Sequence, residues 1–349
     1  PKIDLLTKVA DGKVNIKGQL SSFSTADILN GQLSLENTDI TALLRRFGIS
    51  YRPATSLGGM TINTNFQASS RRLSFQNFEA ELGKLNMRGQ GTIDLKSRPL
   101  IRASFRSGPI IVDDYLNVTY RSNRKILRSE PKNSRTKQKS YTRNVHSRFS
   151  KKDIDLSLLS AIDANVDFKA PILAYGKLLI ENPDLVMRIG NNKLSVPKFL
   201  GKMFEGDLKA SFEATTGSSN LYALKGSINK VNIEKYLAVK KLTKSPQPHG
   251  LMKIDIDLSS NGRSTHEIVS RLGGVGSFAL TDLSINHLEK SSMVGRLFEP
   301  LASASTKKGV MLKNTAKITG NFRVAGGIAQ SRDVKFDSNL GNGVASGSI

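Results

Sequence analysis

A two-residue beat of apolar and polar side chains returns along almost the whole chain, and it restricts the fold more than any other feature. Met60, Ile62, Phe66 and Ala68 alternate with Thr61, Asn63, Asn65 and Gln67. Ala164, Val166, Phe168 and Ala170 alternate with Asn165, Asp167 and Lys169, and Leu208, Ala210, Phe212 and Ala214 with Lys209, Ser211 and Glu213. The same holds for Met252, Ile254, Ile256 and Leu258, and for Ala316, Ile318, Phe322 and Val324. Successive side chains of a strand point to opposite faces, so each segment has one apolar and one polar face. Many such strands in series predict a mostly β chain, built as an antiparallel sheet with a continuous apolar face. Short helices are expected between strands at Thr41–Phe47, Ile233–Lys240, Thr265–Leu272 and Leu288–Leu301, several with a Ser, Thr or Asn just upstream as cap.

Apolar residues make up 38% of the 349 and aromatics 6%, a supply that fits a sheet greasy on one face better than a sandwich buried on both. The absence of cysteine removes disulfide frameworks and thiolate metal sites. No apolar run is long enough to span a bilayer as a helix. A transmembrane β-barrel alternates too, but it needs aromatic girdles, and the chain has no Trp and 7 Tyr. The chain opens on Pro1 and stops at Ile349 within a strand pattern, which reads as a fragment or processed form.

Formal net charge is +23, and it is unevenly spread. Between Arg121 and Lys152 stand twelve Lys or Arg against Glu130 alone, so this stretch carries +11 and the remainder +12. With hardly any aliphatics, it cannot bury enough surface to offset its ordering entropy, and it is expected to be a disordered linker. The expected organisation is an N-terminal β part over 1–120, the basic linker over 121–152, and a C-terminal β part over 153–349. Three roles for the linker stay open: a solvated connection, attachment to acidic phospholipid headgroups, or attachment to nucleic acid. The basic residues that would carry the electrostatic roles are Arg121, Arg124, Lys125, Arg128, Lys132, Arg135, Lys137 and Lys139. Against nucleic acid, only Tyr141 and Phe149 are present for base stacking. The two halves share a strand, short helix, strand cadence at 31–47 and 226–240, repeated at Ser277–Arg296, which signals an elongated, stackable architecture.

Signals for catalysis are poor. His146, His249, His266 and His287 are scattered, and no paired-histidine metal motif, nucleophile elbow or phosphate loop occurs. Gly273-Gly274-Val275-Gly276 follows a short helix instead of opening one, which reads as a C-cap and turn. The pairs Asp255/Asp257 and Asp153/Asp155 read as solvated outer-face residues. No catalytic residue, metal site or cofactor is expected.

Several segments resemble the AsmA family of periplasmic proteins tethered to the inner membrane of Gram-negative bacteria. Arg271-Leu-Gly-Gly-Val-Gly-Ser-Phe-Ala-Leu-Thr-Asp-Leu-Ser-Ile285 resembles the family element L-x-G-x-G-S-F-x-L-x-D-G-x-I, with Leu283 where the family usually has Gly. Ile318-Thr-Gly-Asn-Phe-Arg-Val-Ala-Gly-Gly-Ile-Ala329 resembles its I-x-A-x-F-x-V-x-x-G-V-A strand pair. Asp153 to Asp167 resembles the D-L-S-x-L-x-x-V-D-A-D-V restart after a variable linker. Gly201–Gly206 resembles a G-x-x-Y-G-G turn, with Phe204 for Tyr and Glu205 for the first Gly of the pair. The match covers most of 153–349 and, more loosely, 1–120.

The resemblance implies an elongated sheet curled into an apolar groove along which phospholipid acyl chains lie. It also implies a non-enzymatic role in lipid transfer and outer-membrane lipid homeostasis, and a periplasmic location with an inner-membrane anchor outside this chain. The expected partners are phospholipid acyl chains and the membrane, with no nucleic acid; a polyanion-binding protein or a structural β-solenoid adhesin is the alternative. The residues expected to face the groove are Ile62, Phe66, Val166, Phe168, Leu208, Phe212, Ile254, Ile256, Phe278, Leu280, Ile318 and Phe322. An acyl chain gains about 0.8 kcal/mol for each CH₂ withdrawn from water, so no single side chain is indispensable.

Overall fold

The computed structural model describes residues 2–9, 12–21, 29–37, 39–41, 58–115, 149–240, 249–285, 312–338 and 341–348. They form nineteen strands and four short helices, in two compact units. One unit comprises Pro1–Arg143 with Leu156–Leu194, the other Asn144–Asp155 with Ser195–Ile349. The expected boundary at the basic segment is therefore cut across: the stretch after it returns to the first unit. The reason is a long-range pairing, described next, that leaves no local trace in sequence. Of the segment itself, 121–148 lies outside the described residues, as do the expected helices Leu288–Leu301 and nearly all of Thr41–Phe47.

In the first unit, β1 (Lys2–Val9), β2 (Gly12–Leu20), β3 (Leu29–Asn37), β4 (Met60–Ala68), β5 (Arg72–Leu82), β6 (Leu85–Asp94) and β7 (Leu100–Ser107) form an antiparallel series of neighbours. β7 then pairs in parallel with β9 (Asp163–Lys169), and β9 pairs antiparallel with β11 (Leu178–Gly190). β8 (Ile110–Ile111) and β10 (Ile172–Tyr175) continue β7 and β9 past a break, again side by side in parallel, and β10 joins the start of β11. The break lies at one level in three adjacent strands: Pro109 after β7, Pro171 after β9 and Pro183 within β11. Proline has no N–H to give a ladder, so each strand loses a hydrogen bond there. Ala170 N donates to Pro183 O at 3.1 Å, and Asn182, at φ 49°, donates to Pro171 O at 2.8 Å. Among the described residues no pairing joins β1 to the far end of this series, so the sheet is open. Helix α1 (Val112–Tyr115) follows β8, and α2 (Leu158–Ala161) precedes β9.

The division between units falls within β12 (Lys193–Met203). The second unit is an antiparallel meander of β13 (Gly206–Thr215), β14 (Leu221–Asn232), β15 (His249–Asn261), β16 (Gly273–Ile285), β17 (Leu312–Ala325), β18 (Ile328–Ser338) and β19 (Gly341–Ser348). Helix α3 (Ile233–Lys240) matches its expected bounds, and α4 (Thr265–Ser270) ends two residues before its own. Ser264 caps α4 by accepting from Glu267 N at 3.2 Å. Gly273 and Gly274 are strand residues, not the expected turn; a Cβ on Gly274 would collide with the Asp257 carbonyl on β15. The end of the basic segment is anchored in this unit, where Ser150 O accepts from His266 N and Thr265 Oγ1, both at 3.0 Å.

Several register slips interrupt the beat, and three of them sit beside a left-handed residue. Asn77 in β5 (φ 50°), Lys230 in β14 (φ 58°) and Asp282 in β16 (φ 54°) take left-handed backbone, and the register slips beside each. Residues three apart then share a face: Phe75 with Phe78, Ile228 with Val231, and Leu280 with Leu283. The last two slips drive Val231 (1% exposed) and Leu283 (3%) inward, and Leu283 joins Ile233 and Leu237 of α3 against Ala316, Ile318 and Phe336. Left-handed backbone thus falls on Asp282, one residue before the position where the family element has Gly. The turn at Phe204-Glu205 is a two-residue hairpin with both φ positive, 51° and 68°. Without glycine it is held from α3: the Phe204 ring meets Tyr236 edge to face at 5.6 Å, and Glu205 accepts from Asn232 Nδ2 at 2.9 Å and from Lys235 Nζ.

Candidate functional site

Cross-strand register sorts the side chains of each unit into rows on one face. In the first unit Gly31, Phe66, Phe75, Gly91, Ala103, Val166 and Met187 form one row. Phe78, Gly89, Phe105, Phe168 and Leu185 form the next, and Leu35, Ile62, Ala80 and Met87 lie on the same face beyond them. At the opposite end stand Leu29, Ala68, Leu73, Ile93, Ile101, Ala164 and Ile189. In the second unit Leu208, Ile228, Ile254, Phe278 and Gly320 share a row, flanked by Ala210, Gly226, Ile256, Gly276 and Phe322, and then by Phe212, Leu224, Leu258, Gly274 and Val324. These rows hold no Asp, Glu, Lys, Arg or His. Alternation put the charges on the other face.

What the rows are buried against is the decisive point. In the first unit the buried apolar positions on this face are Ala80, Ala103, Ala164 and Ile189, the last two beneath Leu159 of α2. The large side chains Phe66, Phe75, Phe78, Phe105, Phe168, Leu185 and Met187 are only half-buried. A closed core shows the opposite, with its largest apolar groups the most enclosed. The face is therefore an apolar surface covered mainly by its own side chains. Phe75, Phe78 and Phe105 cluster on it, with ring centroids 5.6 to 6.3 Å apart.

Several phenylalanines lie directly opposite a glycine of the neighbouring strand. A Cβ on Gly31 would stand 2.9 Å from the Phe66 ring, on Gly91 2.6 Å from Phe75, and on Gly320 2.8 Å from Phe278. Phe105 lies over Gly89 and Phe322 over Gly276 in the same way. The rings recline across the adjacent strand instead of standing off it, so the surface stays low and continuous.

The twelve residues expected on the groove thus divide cleanly. Ile62, Phe66, Val166 and Phe168 share the apolar face of the first unit, and Leu208, Phe212, Ile254, Ile256, Phe278, Leu280, Ile318 and Phe322 that of the second. Three of them belong to the cluster under α3: Ile318 is buried in it, and Phe278 and Leu280 pack against it. Phe75, Phe78, Phe105, Leu185 and Met187 were missed. For Phe75 and Phe78 the reason is Asn77, whose bulge hides the alternation of β5. The basic residues Arg121 to Lys139 lie outside the described residues.

The outer faces carry paired charges. Asp94 sits between Arg72 Nε and Arg102 Nη1, each 2.7 Å away, and these guanidiniums, Arg102 foremost, hold its carboxyl below the usual range. Asp255 pairs with Lys253 at 3.0 Å and Asp257 with Lys225 at 2.9 Å, as solvated surface. Among the described residues no group of three or more His, Asp or Glu is placed to hold a metal.

A family model, the AsmA family, matches residues 8–343. The chain belongs to the AsmA family. No curated protein and no solved structure matched it. AsmA membership points to an envelope-associated, lipid-related function, in a family that is generally non-enzymatic. The AsmA elements noted in sequence fall on α2 and the start of β9 in the first unit, and on β16, β17, the start of β18 and the Phe204-Glu205 turn in the second. No helix among the described residues is long and apolar enough to cross a membrane.

Proposed function

We propose that this AsmA-family protein binds phospholipid by its acyl chains on the apolar faces of its sheets and transfers it between the inner and outer membranes. It supports outer-membrane assembly without catalysing a reaction. It works in the periplasm, tethered to the inner membrane by a segment outside this chain. The observation that carries the reading is the phenylalanine surface of the first unit, whose rings are only partly buried while Ala80 and Ala103 among them are enclosed. Fifteen methylenes fully withdrawn from water would gain roughly 12 kcal/mol, and about half that on a one-sided surface. That suffices to hold a lipid while leaving it free to slide, since no polar group fixes its register. Protein purified without detergent and extracted for lipid mass spectrometry tests the proposal. Phospholipid at or above one molecule per chain is expected. Its absence, with nucleic acid bound in its place, would transfer the function to the basic segment.

A further inference from the structure

The apolar face of the first unit is not finished alike at its two ends. At the end marked by the Ser69–Arg71 and Leu95–Pro99 turns, Leu159 of α2 covers Ala164 and Ile189, and the cluster reaches Ile101 on β7. It stops there, and Leu73 and Ile93 on β5 and β6 are not part of it. Just beyond Ile93, Leu95 is 50% exposed. The open stretch of apolar face therefore runs out between these two turns, which Leu95 N joins by donating to Arg71 O at 2.8 Å.

This same end is basic. Arg71, Arg72, Lys96, Arg98 and Arg102 stand against Asp94 and Asp163, giving +3 (5 − 2). Asp94 is spent on Arg72 and Arg102, and Asp163 on Arg98 at 2.8 Å. Arg71 and Lys96, both exposed, are the surplus. At the other end of the same strands Glu79 and Glu81 stand against Lys84, Arg88 and Arg106, giving only +1 (3 − 2). An apolar track that is more strongly cationic at one end than at the other has the polarity of an anionic amphiphile.

We infer that the turns bearing Arg71 and Lys96 receive the headgroup of an anionic glycerophospholipid whose acyl chain lies along Leu73, Phe75 and Ile93. This rests on the lipid-binding reading above and adds to it a headgroup class and an orientation. Guanidinium and ammonium groups donate charge-assisted hydrogen bonds to phosphodiester oxygens. A zwitterionic headgroup brings its own cation and gains less.

The test uses the full chain, incubated with vesicles of equal phosphatidylglycerol and phosphatidylethanolamine, re-isolated, and analysed for bound lipid by mass spectrometry. Wild-type protein is expected to carry phosphatidylglycerol in about fivefold excess, corresponding to ~1 kcal/mol. The Arg71→Gln/Lys96→Gln variant should bring the ratio close to unity with total lipid unchanged. The turns are joined through backbone groups, so the fold should survive the exchange. Lipid bound without enrichment in wild type, or equal enrichment in the variant, overturns the headgroup assignment and leaves the acyl-chain reading standing. Loss of total lipid together with enrichment points to docking on the anionic bilayer and also overturns it. Wild-type protein that takes up no lipid at all removes both readings.

Discussion

Gly320 offers a direct measurement of how tightly the phenylalanines recline. A methyl group there would meet Phe278 Cε1 at 2.8 Å and Cζ at 2.9 Å, with Val334 Cγ2 at 3.3 Å, and no backbone atom closer. The conflict is therefore with side chains, chiefly one ring. Gly320→Ala should force that ring off its rotamer at a cost of roughly 1–3 kcal/mol. Removing glycine's backbone freedom within a strand returns about 0.5–1 kcal/mol, which leaves a net loss of about 1 kcal/mol. Phe278→Leu alone should cost ~1 kcal/mol through lost packing. The double variant should fall well short of the ~2 kcal/mol sum, because the smaller side chain vacates the space the methyl enters. The assay is native-state hydrogen exchange of β16 and β17 amides in wild type, both single variants and the double, since it reads local opening without assuming one global transition. Effects that add within ~0.5 kcal/mol would show that ring and glycine do not compete, and would end the argument that these pairs set the height of the surface.

Three further outcomes follow from other contacts. Phe75→Asp should abolish lipid co-purification and leave the circular dichroism spectrum intact, whereas Ile318→Asp, beneath α3, should lose native structure; a Phe75→Asp protein that unfolds would make that face a core. Asp94 has a folded-state pKa below its ordinary 3.8, so its pairing with Arg102 and Arg72 stabilises above that value and is lost as pH falls through the lowered one. Wild type should accordingly hold an advantage over Asp94→Asn in thermal melts at pH 6 that disappears in strong acid, and a constant difference at all pH values would refute the linkage. Glu205→Ala should destabilise more than Glu205→Gly by about 1 kcal/mol in chemical denaturation, because both lose Lys235 and Asn232 but only glycine relaxes at φ 68°; equal losses would mean that the turn is unstrained.

The beat in sequence made β4, β9, β13, β15 and β17 legible, because a period of two needs only local residues to declare itself. It also placed Asp255 and Asp257 correctly on the outer face. It failed where a single left-handed residue changes the phase. Asn77 splits the phenylalanines of β5 into two apparent faces, which hid Phe75 and Phe78. The closing of Ile318 and Leu280 under α3 was hidden for a different reason: a strand's own pattern says which side is apolar, never what lies on it. The return of Leu156–Leu194 to the first unit depends on β7 pairing in parallel with β9, across a connection far longer than any turn, and such pairings leave no periodic mark. Gly273-Gly274 reads the same in a turn and in a strand pressed against its neighbour. Only the Asp257 carbonyl decides.

The prolines that stop β7, β9 and β11 at one level have a mechanical consequence. Elsewhere in the sheet, bending across the strands strains a ladder of hydrogen bonds that resists as a unit. Along the line through Pro109, Pro171 and Pro183 those rungs are thinned, and Asn182 already supplies the reversed backbone twist that a fold in the sheet requires. The line is a crease. Bending of the first unit is expected to concentrate along this line, which would change the width of the apolar surface beyond β9.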